Sequence, residues 1–304
     1  MLGSCFAENI GEKLQKSKFR ILVNPFGVIY NPESIRISAL RILEKQLFTE
    51  DEMFEHEGSW KSFSHHSRFS ALTAAQFLEN ANQKLEEASA FFQNTDILII
   101  TFGTAWVYSL KDSGAVVSNC HKLPASLFSR KRLSIDSIVE SYSELIKALL
   151  KQRPALQILF TVSPVRHWKD GAHENQVSKA TLLLAVEQIQ HHFPDNTAYF
   201  PAYEIMLDEL RDYRFYAEDM IHPNETAISY IWERFSDAFF NAETRKQIAE
   251  IEKLLAAIQH RPFHPQSEKF QSFVNKNITL LDDIEKKYPE LDFKEERDYW
   301  DKMR

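Results

Sequence analysis

Two hydrophobic periods alternate along most of this chain. Phe6, Ile10 and Leu14 recur at i, i+4 and i+8, which predicts an amphipathic helix beginning just after Cys5. Residues 96–102 and 156–162 are unbroken β-branched and apolar runs, the pattern of strands buried on both faces, and 197–201 predicts a shorter one. Helical stretches are expected at 32–47, 71–92, 134–151 and 174–192, and Ile228, Ile231, Trp232, Phe235 and Phe239 mark the face of a later helix. Residues 106–110 and 115–118 flank Lys111-Asp112-Ser113-Gly114 as a hairpin.

Strands separated by helices of this length imply βαβ units and a mostly parallel sheet, whose ligands sit beyond the C-terminal ends of its strands. Gly3, Gly103 and Ser163 fall at or just past such ends. The expected organisation is an α/β domain over 1–242 and a helical C-terminal extension over 243–304, charged, glycine-free and interrupted by Pro262 and Pro265. Only Met1 and Leu2 precede the turn at Gly3, so the first strand of the sheet is expected to be missing or cut short.

Composition narrows the class. With 44% hydrophobic and 26% charged residues the chain is globular, and its net charge of −7 argues against a nucleic-acid partner. No apolar run approaches the ~20 residues that span a bilayer, and no leader precedes Gly3. Two cysteines, Cys5 and Cys120, fit a reducing compartment, so a cytoplasmic protein is expected. His191 and His192 are adjacent and diverge on a helix, and no metal-ligand spacing occurs, so neither a metal nor another cofactor is expected.

Two constellations carry candidate chemistry. A nucleophile at Gly3-Ser4-Cys5, between a strand end and a helix start, would be exposed to the positive end of the helix dipole, which for Cys5 favours the thiolate; Ser4 would need a neighbouring base. Asp219 stands three residues ahead of His222 and can orient its imidazole as a base. Each has a plainer reading: a packed cysteine behind a turn, and a cap ahead of a helix. Polar residues at Ser64-His65-His66-Ser67 and at Asn119-Cys120-His121 could line a pocket, and Arg166, after the second strand, would suit an acidic or glycan ligand.

Together the two constellations resemble, in order and spacing, the SGNH (GDSL-type) hydrolases. Gly3-Ser4-Cys5-Phe6-Ala7 is the signature for which the GSCFA family is named, and that family looks like a branch of the SGNH superfamily. The likeness extends through Asn24-Pro25-Phe26-Gly27, Asn31-Pro32, residues 102–108, Asn119-Cys120-His121-Lys122 and Asp219 to His222. It implies a three-layer, flavodoxin-like parallel sheet flanked by helices, and hydrolysis or transfer at an ester or thioester, with an acylated carbohydrate among the possible substrates.

On that frame Cys5 takes the nucleophile position, with Ser4 second; His222 is the base, Asp219 its orienter, and the backbone N–H groups of Cys5 and Gly27 the oxyanion donors, with Asn24 and Gly103 in the pocket. One departure is specific. The superfamily's Gly-x-Asn asparagine is replaced in Gly103-Thr104-Ala105 by alanine, so another donor is required: Thr104, His66 or the Asn119/His121 pair. The alternative is a non-catalytic glycan- or protein-binding module on a hydrolase scaffold.

Overall fold

A computed structural model of the chain describes residues 1–259, 264 and 267–303; Pro262 and Pro265 lie outside them. In chain order the α/β part carries β1 (Leu2–Gly3), α1 (Cys5–Lys16), α2 (Pro32–Glu44), β2 (Met53–His56), β3 (Ser59–Ser62), α3 (Ala74–Phe92) and β4 (Ile97–Phe102). It continues with β5 (Trp106–Leu110), β6 (Val116–Val117), β7 (Phe128–Arg132), α4 (Ile135–Gln152), β8 (Gln157–Val162), α5 (Gly171–His192) and β9 (Thr197–Phe200).

The two apolar runs, β4 and β8, lie side by side at the centre of a four-stranded parallel sheet of order β1-β4-β8-β9. Ile100 and Phe102 of β4 and Ile158 and Phe160 of β8 join Leu85 of α3, Tyr142 and Ile146 of α4 and Leu182 of α5 in one buried cluster. On the opposite pleat Ile99, Thr101, Leu159 and Thr161 are buried as well, which is why these strands read as continuous rather than alternating. The expected hairpin, β5–β6, gains a third strand, β7, and β2 pairs with β3 in a separate antiparallel ribbon.

The first strand of the sheet is not missing, but it is only two residues long. Leu2 and Gly3 pair in parallel with Ile100 and Thr101 of β4. So short a strand is held from its other side by the loop after α1. Asn24 N–H donates to Met1 O at 3.0 Å and Ile29 N–H to Gly3 O at 2.9 Å. Gly3 N–H in turn donates to Asn24 Oδ1 at 2.8 Å. Position 3 requires glycine: φ is +150°, and a Cβ would lie 2.3 Å from Thr101 O.

Asn24 is itself in the left-handed region, φ 45°, which asparagine tolerates better than most residues. Asn24→Ala would leave the buried Gly3 N–H without a partner and put an ill-suited residue at positive φ. The expected cost is about 2–4 kcal/mol, roughly 5–15 °C in melting temperature by calorimetry. An unchanged melting temperature would show that this latch does not hold β1.

The chain divides into two compact units, Met1–Gly11 with Leu22–Ile231, and Glu12–Ile21 with Trp232–Arg304. The second unit contains helices Ala242–Ile258, Glu268–Lys287 and Lys294–Met303. It has a core of its own, because Ile251, Leu254, Val274, Leu281 and Trp300 form a buried cluster. Lys18 also pairs there with the buried Glu296 at 2.7 Å. Among the described residues no helix is long and apolar enough to cross a membrane.

Candidate active site

Cys5 opens α1 directly after β1, so the chain passes from strand to helix in a single tight turn. Ser4 N–H is anchored on Thr101 O at 3.2 Å, and Ser4 O accepts from Ala7 N–H at 2.8 Å. Ser4 is buried, 1% exposed, and among the described residues its hydroxyl has no hydrogen-bond partner, whereas Cys5 is only half-buried. Burial pushes the Cys5 thiol above its ordinary value, and the backbone N–H groups of Phe6 and Cys5 offset this only in part. This corrects the expectation that the helix start alone favours the thiolate. At neutral pH the site holds mainly a thiol and needs a base.

The Asp219–His222 turn supplies a candidate. Met220 at φ 59° folds the chain back so that Asp219 Oδ1 accepts from Ile221 N–H at 2.9 Å and from His222 N–H at 3.0 Å. Asp219 Oδ2 takes His222 Nδ1 at 2.6 Å. These bonds hold the carboxyl at about 2, so it is ionised and can only accept. Nδ1 therefore carries the proton, and Nε2 is left as the acceptor nitrogen. Capping of the following helix falls to Asn224, which accepts from Ala227 N–H at 3.1 Å. Asp219 is committed to the imidazole rather than to the helix.

Ser4 and Cys5 line one wall of a cavity of about 170 Å³, and Ile221 and His222 line another. Tyr30 and the segment after β8 (Ser163, Val165, Arg166 and His167) complete it. The Gly3-Ser4-Cys5 turn and the Asp219–His222 turn, more than two hundred residues apart in sequence, thus open on one space. No hydrogen bond among the described residues joins Cys5 to His222. The cavity between them has room for a small acyl group.

Most residues expected in the pocket from the sequence lie off its lining, bonded to neighbours in the fold. Gly27 N–H is bonded to Asn24 O at 2.8 Å, so it is not available as an oxyanion donor. Gly27 is glycine for another reason: φ is +87° and a Cβ would meet that of His66 at 2.2 Å. Thr104 is buried, its hydroxyl 3.1 Å from Ser178 Oγ and accepting from Trp106 N–H at 3.2 Å. His66 Nδ1 accepts from Arg68 N–H at 3.3 Å. Asn119 Nδ2 donates to Ser67 Oγ at 3.2 Å, and the buried His121 ring contacts Ser62 O at 2.8 Å. Asn24, Gly27, Gly103, Thr104, His66, Asn119 and His121 are all absent from the cavity lining. Arg166 is on it.

Tyr30, His167 and Lys179 were given no role from the sequence; the first two line the cavity, and Lys179 is bonded to Ser163 of its wall. Tyr30 faces the cavity, and burial raises its hydroxyl above the ordinary value, so the proton stays on. His167 packs edge-on against Tyr30 at 5.7 Å, and burial lowers it to about 4, so its ring is neutral. Lys179, on α5, is 1% exposed and donates to Gly103 O at 2.7 Å and to Ser163 O at 2.6 Å, tying together the ends of β4 and β8. Burial lowers it to about 7, with Cys5 pulling the other way. A signal for it existed: Asn175, Ser178, Lys179, Leu182 and Val186 share the buried face of α5, and a lysine on such a face asks for an explanation.

A family model described as the GSCFA family matches residues 1–235. The chain belongs to the GSCFA family. A second model, described as the GSCFA domain protein C-terminal domain, matches residues 251–303. Every residue lining the cavity lies within the first match, so the site described above belongs to the GSCFA part of the chain. No curated protein matches the chain.

Proposed function

We propose that this GSCFA chain is a hydrolase of SGNH type, cleaving an ester or thioester through Cys5. The supporting observation is that a thiol at a strand-to-helix turn and a carboxylate-held imidazole line the same small cavity. Ser4 is the weaker candidate because its hydroxyl is buried beneath the turn. The likeness to the SGNH hydrolases supplies the reaction class.

In this reading His222 Nε2 takes the thiol proton as Cys5 Sγ attacks the acyl carbon, and the carbonyl becomes an oxyanion. Cys5 N–H at the start of α1 donates to it, and Tyr30, which keeps its proton, is the second donor that Ala105 cannot provide. The tetrahedral intermediate collapses as His222 returns the proton to the leaving alcohol or thiol, leaving an acyl group on Cys5. A water then attacks that thioester, losing its proton to His222, and release of the acid restores the thiol. Asp219 holds the tautomer throughout.

The test is to trap the acyl-enzyme. Acid quench of the full chain after mixing with an acetyl thioester, followed by peptide mass spectrometry, is expected to place the acetyl group on Cys5, and Cys5→Ala to abolish both adduct and turnover. Neither adduct nor turnover on acetyl ester and thioester substrates would leave the non-catalytic binding module as the better reading.

A further inference from the structure

Arg166 is the arginine of the cavity wall, and its surroundings set it apart. Arg36, Arg41, Arg130 and Arg297, likewise partly shielded from water, each meet a carboxylate. Arg166 meets none among the described residues. Its Nη1 reaches Met220 O at 3.5 Å, and its guanidinium lies over the buried Tyr216 ring at 4.1 Å. Tyr213 and Trp168, at 5.5 and 5.6 Å, flank it and are more than half exposed. A guanidinium has five N–H donors, and here one long bond and three ring faces leave most of them unmatched.

The acids around the cavity are already committed. Among the described residues no Asp or Glu lines it. Asp219 is bound by His222 and two backbone N–H groups. Glu8, on α1 beyond Cys5, pairs with Arg68, and Asp170, beyond His167, pairs with Arg130. The half-shielded guanidinium therefore lacks a counter-charge on the side that opens to the ligand space, where a carboxylate would meet it in fork geometry.

Resting on the reading of Cys5 as the reacting thiol, we infer that the cavity selects substrates carrying a carboxylate within a few bonds of the scissile carbonyl. The short reach follows from size: Arg166 and Cys5 line the same 170 Å³. Two substrate forms share this chemistry, a dicarboxylic half-ester such as a succinyl group and an acyl ester of a hydroxy acid. The exposed faces of Trp168 and Tyr213 lie beside the arginine as a surface for the rest of the molecule.

A matched pair of alkylating agents reads this without turnover. In a Cys120→Ser background, the rates at which iodoacetate and iodoacetamide label Cys5 are compared with those for a cysteine peptide. The iodoacetate-to-iodoacetamide ratio is expected to exceed the peptide's by about 10-fold or more, the range of a hydrogen-bonded charge contact. Arg166→Gln returns the ratio to the peptide value, the iodoacetamide rate correcting for any change in the thiol itself, and Lys169→Gln, a nearby cation off the cavity wall, preserves it. A peptide-like ratio in the parent protein, or a high ratio surviving Arg166→Gln, overturns the inference.

Should Arg166→Gln not fold, the parent protein still decides: succinate must protect Cys5 from iodoacetamide where succinamide does not, and equal protection overturns the inference. Succinyl against butyryl thioesters and acetyl-lactate against isopropyl acetate then separate the two substrate forms. Turnover without preference in either pair removes this inference alone. Anion preference in labelling with no acyl-enzyme removes the hydrolase reading and, with it, the scissile carbonyl of this inference, leaving Arg166 as a carboxylate-binding group of the cavity.

Discussion

His222→Ala is expected to slow turnover of a model thioester by about 10²–10⁴, the contribution of a positioned general base. The size follows from the state of Cys5. Burial raises its thiol, so at neutral pH little thiolate forms unaided and the proton must be taken during attack. The same logic gives the pH signature. Alkylation of Cys5 in the His222→Ala variant should lag at neutral pH and approach the wild-type rate as pH passes the raised thiol value, where the thiolate no longer needs a base. Asp219→Asn tests the other half of the pair. An amide N–H facing Nδ1 forces that nitrogen to accept, so Nε2 carries the proton and cannot act as a base; a loss of the same order is expected. Labelling unchanged in His222→Ala, or confined to Cys120, would disprove the pairing.

What the sequence disclosed depended on how locally each feature is encoded. β4 and β8 were readable because, after an exposed first residue, both faces are buried and no exposed position interrupts the run. β7 was not, because its outer residues are charged. Arg130 and Arg132 cover the Trp106 ring at 4.2 and 5.9 Å and pair with Asp170 and Glu174, so charged side chains do there what apolar ones usually do. β1 is shorter than any periodicity can register, and what holds it is Asn24, a polar loop residue.

The site divides in the same way. Cys5 and the Asp219–His222 pair stood out because each sits in a short motif whose spacing implies chemistry. Motif membership misled at Gly27, Thr104 and His121, whose polar groups are consumed by neighbours in the fold. Tyr30, His167 and Lys179 reach the site from a loop, a strand end and a helix interior, with nothing local to link them. That convergence is a property of the sheet topology, not of any window of residues.

Lys179→Met addresses the residue that was hardest to read. The variant leaves Gly103 O and Ser163 O without their buried donor, at a cost of about 1–3 kcal/mol each, and relieves the penalty of burying an amine. The distinguishing readout is the pH dependence. Lys179 titrates at about 7 in the folded chain against 10.5 when unperturbed, so above pH 7 the unfolded chain holds a proton that the native one has lost. Stability must then rise with pH, by about 1–2 kcal/mol between pH 7 and 8.5. The window closes there because the raised thiols of Cys5 and Cys120 act in the opposite sense once their unfolded counterparts ionise. Urea unfolding across that range should show a rise in Lys179→Met that is smaller than the wild-type rise by that amount, the remainder coming from the buried Met1 amino group and from His65, His121 and His167, which burial also lowers. The variant should also alkylate Cys5 more slowly at neutral pH, having lost the cation that offsets the thiol's burial. An equal rise in the two proteins would mean that the two carbonyls keep Lys179 charged throughout, leaving a permanent positive charge under the ends of β4 and β8 and beside Cys5.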